Sequence, residues 1–154
     1  MKTQILSIAF ILVSAFVSAQ TADAFQVVEK EQVPVPVIEA YESDYGDARA
    51  PEWRVHLNIY EVKNGKEYYR FNENGDLVEK RVKMSWNENA PSSLKEGKLK
   101  TYYKFWDVTE FYQAEEGKGN VYYVLQLKEP DTNDLATIYF DNTGNLRSKS
   151  HSGM

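Results

Sequence analysis

The sequence predicts an α+β protein made of two tandem units, each a helix packed on an antiparallel meander sheet. Three observations carry this expectation. A helical period gives way to strict alternation after Pro51, and the same order of patterns begins again after Ala90-Pro91. The stretch YRFNENGDL, 69–77, also returns loosely as IYFDNTGNL, 138–146, so that Phe71, Gly75 and Leu77 are matched 69 positions later by Phe140, Gly144 and Leu146.

The elements follow in chain order. Residues 1–19, MKTQILSIAFILVSAFVSA, have one Lys, an apolar run from Ile5 to Val17 and a small-residue end, which is the layout of a secretory signal peptide. The run is too short to span a bilayer, and no Cys follows it to accept a lipid. Residues 20–32 read as a lead-in with some helix. The first unit is set at 33–85. In VPVPVIEAYESDYGDA, Pro36 suits a first helical turn, and Val37, Ile38, Tyr41 and Tyr45 share one face, predicting a helix over 36–45. Trp53, Val55, Leu57 and Ile59 then alternate with Arg54, His56, Asn58 and Tyr60 as one strand. Asn64-Gly65 and Asn74-Gly75 turn the chain into strands at 67–71 and 77–84.

The second unit is set at 90–149. Ser93 with Glu96 forms a candidate capping box for a helix reaching Tyr103. Trp106 opens an alternating run to Ala114, a turn follows at 117–120, and strands are expected at 121–128, 135–141 and from Leu146. Trp53 to Phe71 spans 18 residues and Trp106 to Phe140 spans 34, so three strands are expected in the first unit and four in the second. Residues 150–154 read as a flexible tail.

Composition excludes several classes of function. Without the leader the chain carries 17 basic and 23 acidic residues, and no basic cluster stands out, which argues against nucleic acid and anionic membranes. There is no Cys, hence no thiol nucleophile, disulfide or thiolate metal site. No G-x-S-x-G elbow occurs. The two His are far apart, His56 in a strand and His151 near the end. Asp141-Asn142-Thr143-Gly144-Asn145 resembles a calcium loop only in its oxygen content, lacking the later bidentate Glu, and reads as a turn. Glu110, Glu115, Asp131 and Asp134 read as solvated surface. No enzyme activity, cofactor or metal is expected.

The informative feature is tyrosine, 11 residues in all, with pairs at Tyr68-Tyr69, Tyr102-Tyr103 and Tyr122-Tyr123. In a strand, adjacent side chains face opposite ways, so one of each pair lies off the core. Exposed aromatics bring large rigid area to protein interfaces. On this argument Tyr60, Tyr69, Trp106 and Tyr122 are the candidate partner-binding residues, with acidic residues favouring a basic partner.

VPVPVIEAYESDYGDARAPEW, with YYRFNENGDL, YYVLQL and TIYFDNTGNL, resembles the repeat of small exported bacterial proteins called PepSY-like or beta-lactamase-inhibitor-like, over about residues 33–148. The resemblance implies tandem α+β units, a periplasmic or secreted location and no enzyme activity. It suggests a protein- or peptide-binding module, with regulation of an envelope enzyme such as a peptidase as a weaker analogy. No contact residue of the inhibitor can be matched here. The alternative is a small-molecule or cation-binding envelope protein using a cleft between the units.

Overall fold

A computed structural model describes residues 25–46, 51–117 and 119–152. The expected signal peptide, 1–19, lies outside them. Within the described residues nine strands form a single sheet in sequence order, every neighbour antiparallel. They are β1 Gln26–Val28, β2 Glu52–His56, β3 Ile59–Asn64, β4 Glu67–Asn72, β5 Leu77–Met84, β6 Asp107–Glu116, β7 Asn120–Lys128, β8 Leu135–Asp141 and β9 Leu146–Ser152. Three short helices accompany the sheet: α1 Val35–Tyr45, α2 Trp86–Asn89 and α3 Ser92–Leu99.

This corrects the expected fold class. The protein is mainly β, with one continuous sheet, and is not two helix-plus-sheet units. The join is the ladder between β5 and β6, which pairs Glu79 with Glu116 and Met84 with Phe111 across the helical connection. That ladder fuses the expected halves through ordinary main-chain hydrogen bonds.

The first half also has more strands than expected. The alternating run from Trp53 to Tyr60 is cut by a two-residue turn, Leu57-Asn58, closed by pairing of His56 with Ile59. Leu57 sits at φ 52° and is 82% exposed. The next hairpin has the same loop length, between Asn64 and Glu67, but puts Gly65 at φ 62° in the equivalent place. Glycine is what that position normally takes.

All helices lie on one face of the sheet. Pro34 caps α1 and Pro36 sits in its first turn, where a missing N–H costs no bond. Its Val37 and Tyr41, four residues apart, pack on Trp53, Val62, Tyr69 and Phe71. A second cluster joins Leu94 of α3 to Phe111, Leu125, Leu127, Ile138 and Phe140. Each of those fully buried side chains contributes about 1.5–3 kcal/mol of hydrophobic stabilisation. The capping box expected from Ser93 and Glu96 does not form; Pro91 is the N-cap and α3 stops at Leu99. A 3₁₀ turn, Tyr102–Phe105, follows instead. Lys98 ties the two together, its buried ammonium donating to the carbonyls of Tyr103, Lys104 and Trp106 at 3.1, 3.2 and 2.7 Å.

Two turns dock on the helices in the same manner. Asn72 Oδ1 accepts from the N–H groups of Asn74 and Asp76, and Asp141 Oδ1 from those of Thr143 and Asn145. Gly75 and Gly144 follow at φ 85° and 89°, pressed against the carbonyls of Pro36 and Ser93 at the starts of α1 and α3. Gly97 of α3 closes on the Gly144 carbonyl, so this glycine, a poor helix former, admits the turn. The loop once comparable to a calcium site therefore spends its carboxylate on its own backbone. β9 continues to Ser152, so residues 150–152, expected in a tail, lie in the edge strand.

Candidate binding face

The face away from the helices is concave. It lines a cavity of about 830 Å³ whose walls run from Arg54 on β2 to Tyr139 on β8. Register shifts at Arg70/Phe71, Val108/Glu110 and Tyr139/Phe140 insert bulges, which bend strands and increase twist.

Its floor follows from strand parity. Glu52, Arg54 and His56 on β2 alternate with Trp53 and Val55, so they point away from α1. Register then sets Arg54 beside Glu61, Glu61 beside Arg70 and Arg70 beside Glu79. The result is a cross-strand ladder of alternating charge. Arg54 Nη1 lies 3.6 Å from Glu61 Oε1, Arg70 Nε donates to Glu61 Oε2 at 2.8 Å, and Arg70 Nη1 donates to Glu79 Oε1 at 3.3 Å. Arg81 closes the row by a forked contact with Glu79, its Nη2 at 3.1 Å from Oε2. Glu61 is only 3% exposed and is paired with both guanidiniums, as a buried carboxylate requires.

Beside the ladder is a tyrosine cluster: Tyr68, Tyr112 and Tyr122 are buried with Ala114 and Val124, and Tyr139 packs against them. Tyr68 and Tyr112 meet edge to face at 5.5 Å. Tyr112 donates its hydroxyl to Glu110, which also receives Lys83 Nζ at 2.6 Å. Burial, then this carboxylate, push the Tyr112 hydroxyl well above its usual range. For Glu110, burial works to raise the pKa, but the bonds from Lys83 and Tyr112 prevail and hold it below the ordinary carboxylate value. Burial depresses Arg81, with Arg70 as the second cause. Guanidinium stays charged regardless. Phe25 covers one end, its ring centre 4.7 Å from the Arg70 guanidinium and 5.6 Å from the His56 ring, to which it is tilted by 52°.

The four residues selected from the sequence do not gather here. Tyr69 (3% exposed) lies under α1, its ring 5.7 Å from that of Tyr41, and its hydroxyl is bonded to Glu67. Trp106 (6% exposed) is buried in the cluster beneath α3, and Tyr60 is half-buried against the α1 cluster. Tyr122 alone of the four belongs to the concave face, where the Arg147 guanidinium covers its ring at 4.8 Å. The residues sequence reasoning missed are Tyr68, Tyr112 and Tyr139 and the arginine ladder. Parity predicted that one tyrosine of each pair lies off the core, but which one depends on the side the helices take. The ladder did carry a signal: Arg54, Glu61 and Arg70 fall on one face once the hairpins at 57–58 and 65–66 are placed.

No group of three or more His, Asp or Glu among the described residues is arranged to hold a metal ion. No described helix is long and apolar enough to cross a membrane.

No protein-family model matches the chain, and no curated protein matches it. Solved structures do share its fold. A DUF2874 family protein from Bacteroides ovatus superposes with a TM-score of 0.66 at 15% identity, covering 77% of this chain and 87% of that one. A provisionally named periplasmic protein from Bacteroides eggerthii gives 0.66 and 15%, over 77% and 88%. A BLIP-like (beta-lactamase-inhibitor-like) protein from Bacteroides fragilis gives 0.59 and 16%, over 79% and 89%. None of these three is described as a PepSY or tandem-repeat protein. The likeness therefore bears on the inhibitor-like half of the sequence resemblance, and at such identities what this chain shares with them is the fold.

Proposed function

We propose that the chain is an exported, non-enzymatic binding module whose concave sheet face seats a segment of a protein partner. The observation that carries this reading is the cavity of about 830 Å³ over a continuous nine-stranded sheet, floored by tyrosine rings and a charged ladder. Aromatics and arginines held in fixed rotamers are the groups that supply most binding energy at protein interfaces. Export is supported by the layout of residues 1–19 and by the periplasmic description of one structural neighbour. The BLIP-like description of another neighbour points the same way as to class of function. Of the residues first selected, Tyr122 is retained; Tyr68, Tyr112 and Tyr139 join it.

A small molecule is the second reading, favoured by the volume, which falls within the range of ligand pockets. A cation is disfavoured, because Arg54, Lys63, Arg70, Arg81 and Lys83 line the cavity against two carboxylates, Glu61 and Glu110.

The test is site-specific photo-crosslinking in the native envelope. A photoreactive residue at Thr109, which lines the cavity, is compared with one at exposed Lys100, just past α3. A discrete protein adduct from position 109 and none from 100 supports the reading. Adducts from 100 alone, or from neither, contradict it.

A further inference from the structure

We infer that the segment seated on the concave face is acidic. This rests on the binding reading above and names the chemistry of the partner.

The chain as a whole is acidic, with a formal charge of −5. Its cavity is the reverse. Five cationic side chains line it and two carboxylates, and those two are already engaged: Glu61 between Arg54 and Arg70, Glu110 between Lys83 and the Tyr112 hydroxyl. Glu52 and Glu79, which pair with the same arginines, bring the acids to four against five cations. The site thus keeps one surplus positive charge, and both lining carboxylates are already paired with cations. A guanidinium has five N–H groups, and the contacts here engage three on Arg54, three on Arg70 and up to four on Arg81, so each keeps spare donors. Lys63 is barely tied, 4.0 Å from Glu52, and Lys63 and Lys83 keep 34% and 40% of their side chains in solvent.

A carboxylate arriving in this cavity meets spare N–H donors preorganised on a sheet, and bidentate pairing with arginine is its strongest available contact. A cationic side chain meets carboxylates that are already paired with cations, and repulsion from Lys63 and Lys83. Tyr139, half-buried beside the ladder, and exposed Leu135 give aromatic or aliphatic neighbours of the acidic residues a surface to cover. The sign is opposite to the basic partner expected from overall composition, because net charge sums the whole surface whereas recognition depends on the local field.

The experiment uses the mature protein and three capped peptides of equal length, Glu/Tyr-rich, Ser/Tyr-rich and Lys/Tyr-rich, titrated calorimetrically at low and at physiological salt. The acidic peptide is expected to bind at least about tenfold more tightly than the other two, and to weaken with salt. Lys63→Glu is expected to weaken it by about tenfold and the double variant Lys63→Glu/Lys83→Gln further, while Lys100→Glu on the helix side leaves it unchanged. Circular dichroism confirms that each variant is folded. Equal binding of all three peptides, preference for the basic one, no binding of any, or acidic-peptide binding indifferent to Lys63→Glu each overturns the inference. The concave-face reading fails separately: a neutral or basic peptide blocked by Thr109→Arg leaves that reading standing, whereas binding of any peptide insensitive to Thr109→Arg removes it.

Discussion

Replacing Gly144 by alanine tests how the two turns hold the helices against the sheet. At φ 89° an L side chain is strained by about 1–2 kcal/mol. Its Cβ would also stand 2.4 Å from the Ser93 carbonyl oxygen and 2.7 Å from the carbonyl carbon. Both atoms belong to the backbone at the start of α3, which cannot rotate away as a side chain could. Relief requires α3 to lift off Phe140 and withdraw its own Leu94 from the cluster, an overpacking cost of about 1–3 kcal/mol. The expected loss is about 2–5 kcal/mol. Gly65 supplies the control, since it has φ 62° with nothing within 4 Å of a built Cβ, so Gly65→Ala carries the strain alone, about 1–2 kcal/mol. Equilibrium urea denaturation reads both as shifts of midpoint at constant slope. Gly75→Ala, 2.5 Å from the Pro36 oxygen, should resemble Gly144→Ala. If Gly144→Ala and Gly75→Ala cost no more than Gly65→Ala, the docking of the turns on α1 and α3 is not what these glycines serve.

Three further outcomes are expected. Glu61→Ala leaves Arg54 and Arg70 facing each other without their shared carboxylate, and should cost about 2–4 kcal/mol, discounted for the partial exposure of the arginines; raised salt should recover part of it in a denaturant titration, and a loss under 0.5 kcal/mol would mean the ladder is not coupled. Leu57→Gly should stabilise by about 0.5–1 kcal/mol, because relief of strain at φ 52° exceeds the entropy glycine adds to the unfolded chain, and a lowered melting temperature would contradict this. Asp141 is held at about 2, below its ordinary 3.8, by the Thr143 hydroxyl first and then the Asn145 N–H. Its contribution is therefore present above about pH 4 and fades as pH falls towards 2. Asp141→Asn, which copies Asn72 in the other turn, should flatten the fall in melting temperature between pH 5 and 2, and an unchanged pH profile would count against this role.

How much was legible depended on whether the determining contacts were local. The helix expected over 36–45 appears as Val35–Tyr45, because proline entry and an i, i+4 stripe are local signals. The strands at Glu67–Asn72, Leu77–Met84 and Leu135–Asp141 stand close to where alternation and Asx-Gly turns put them. The Leu57-Asn58 turn left no signal, since a leucine occupies the glycine position and alternation continues across it. Continuity of the sheet was beyond local reading altogether. Whether Met84 pairs with Phe111 or each strand ends an independent unit is decided by main-chain bonds spanning the helical connection, and those leave no periodicity. The candidate site suffered from the same gap. Tyr69 and Tyr122 are each one of a pair, and only the helix side of the finished sheet decides that Tyr69 goes under α1 while Tyr122 goes to the concave face. Charge misled for a different reason: the ladder Arg54, Glu61, Arg70, Glu79, Arg81 is scattered over four strands, so its surplus is invisible as a run.

The claim that the concave face is the working surface is tested most directly by lysine footprinting. The mature protein is reductively methylated in buffer and in native envelope extract, and the labelling of each lysine is compared by mass spectrometry. The account predicts that Lys63 and Lys83, which line the cavity, become protected in the extract while Lys95 and Lys100 on the helix side label as before. Protection of Lys95 and Lys100 with Lys63 and Lys83 unchanged would place the interaction on the opposite side of the sheet and contradict it.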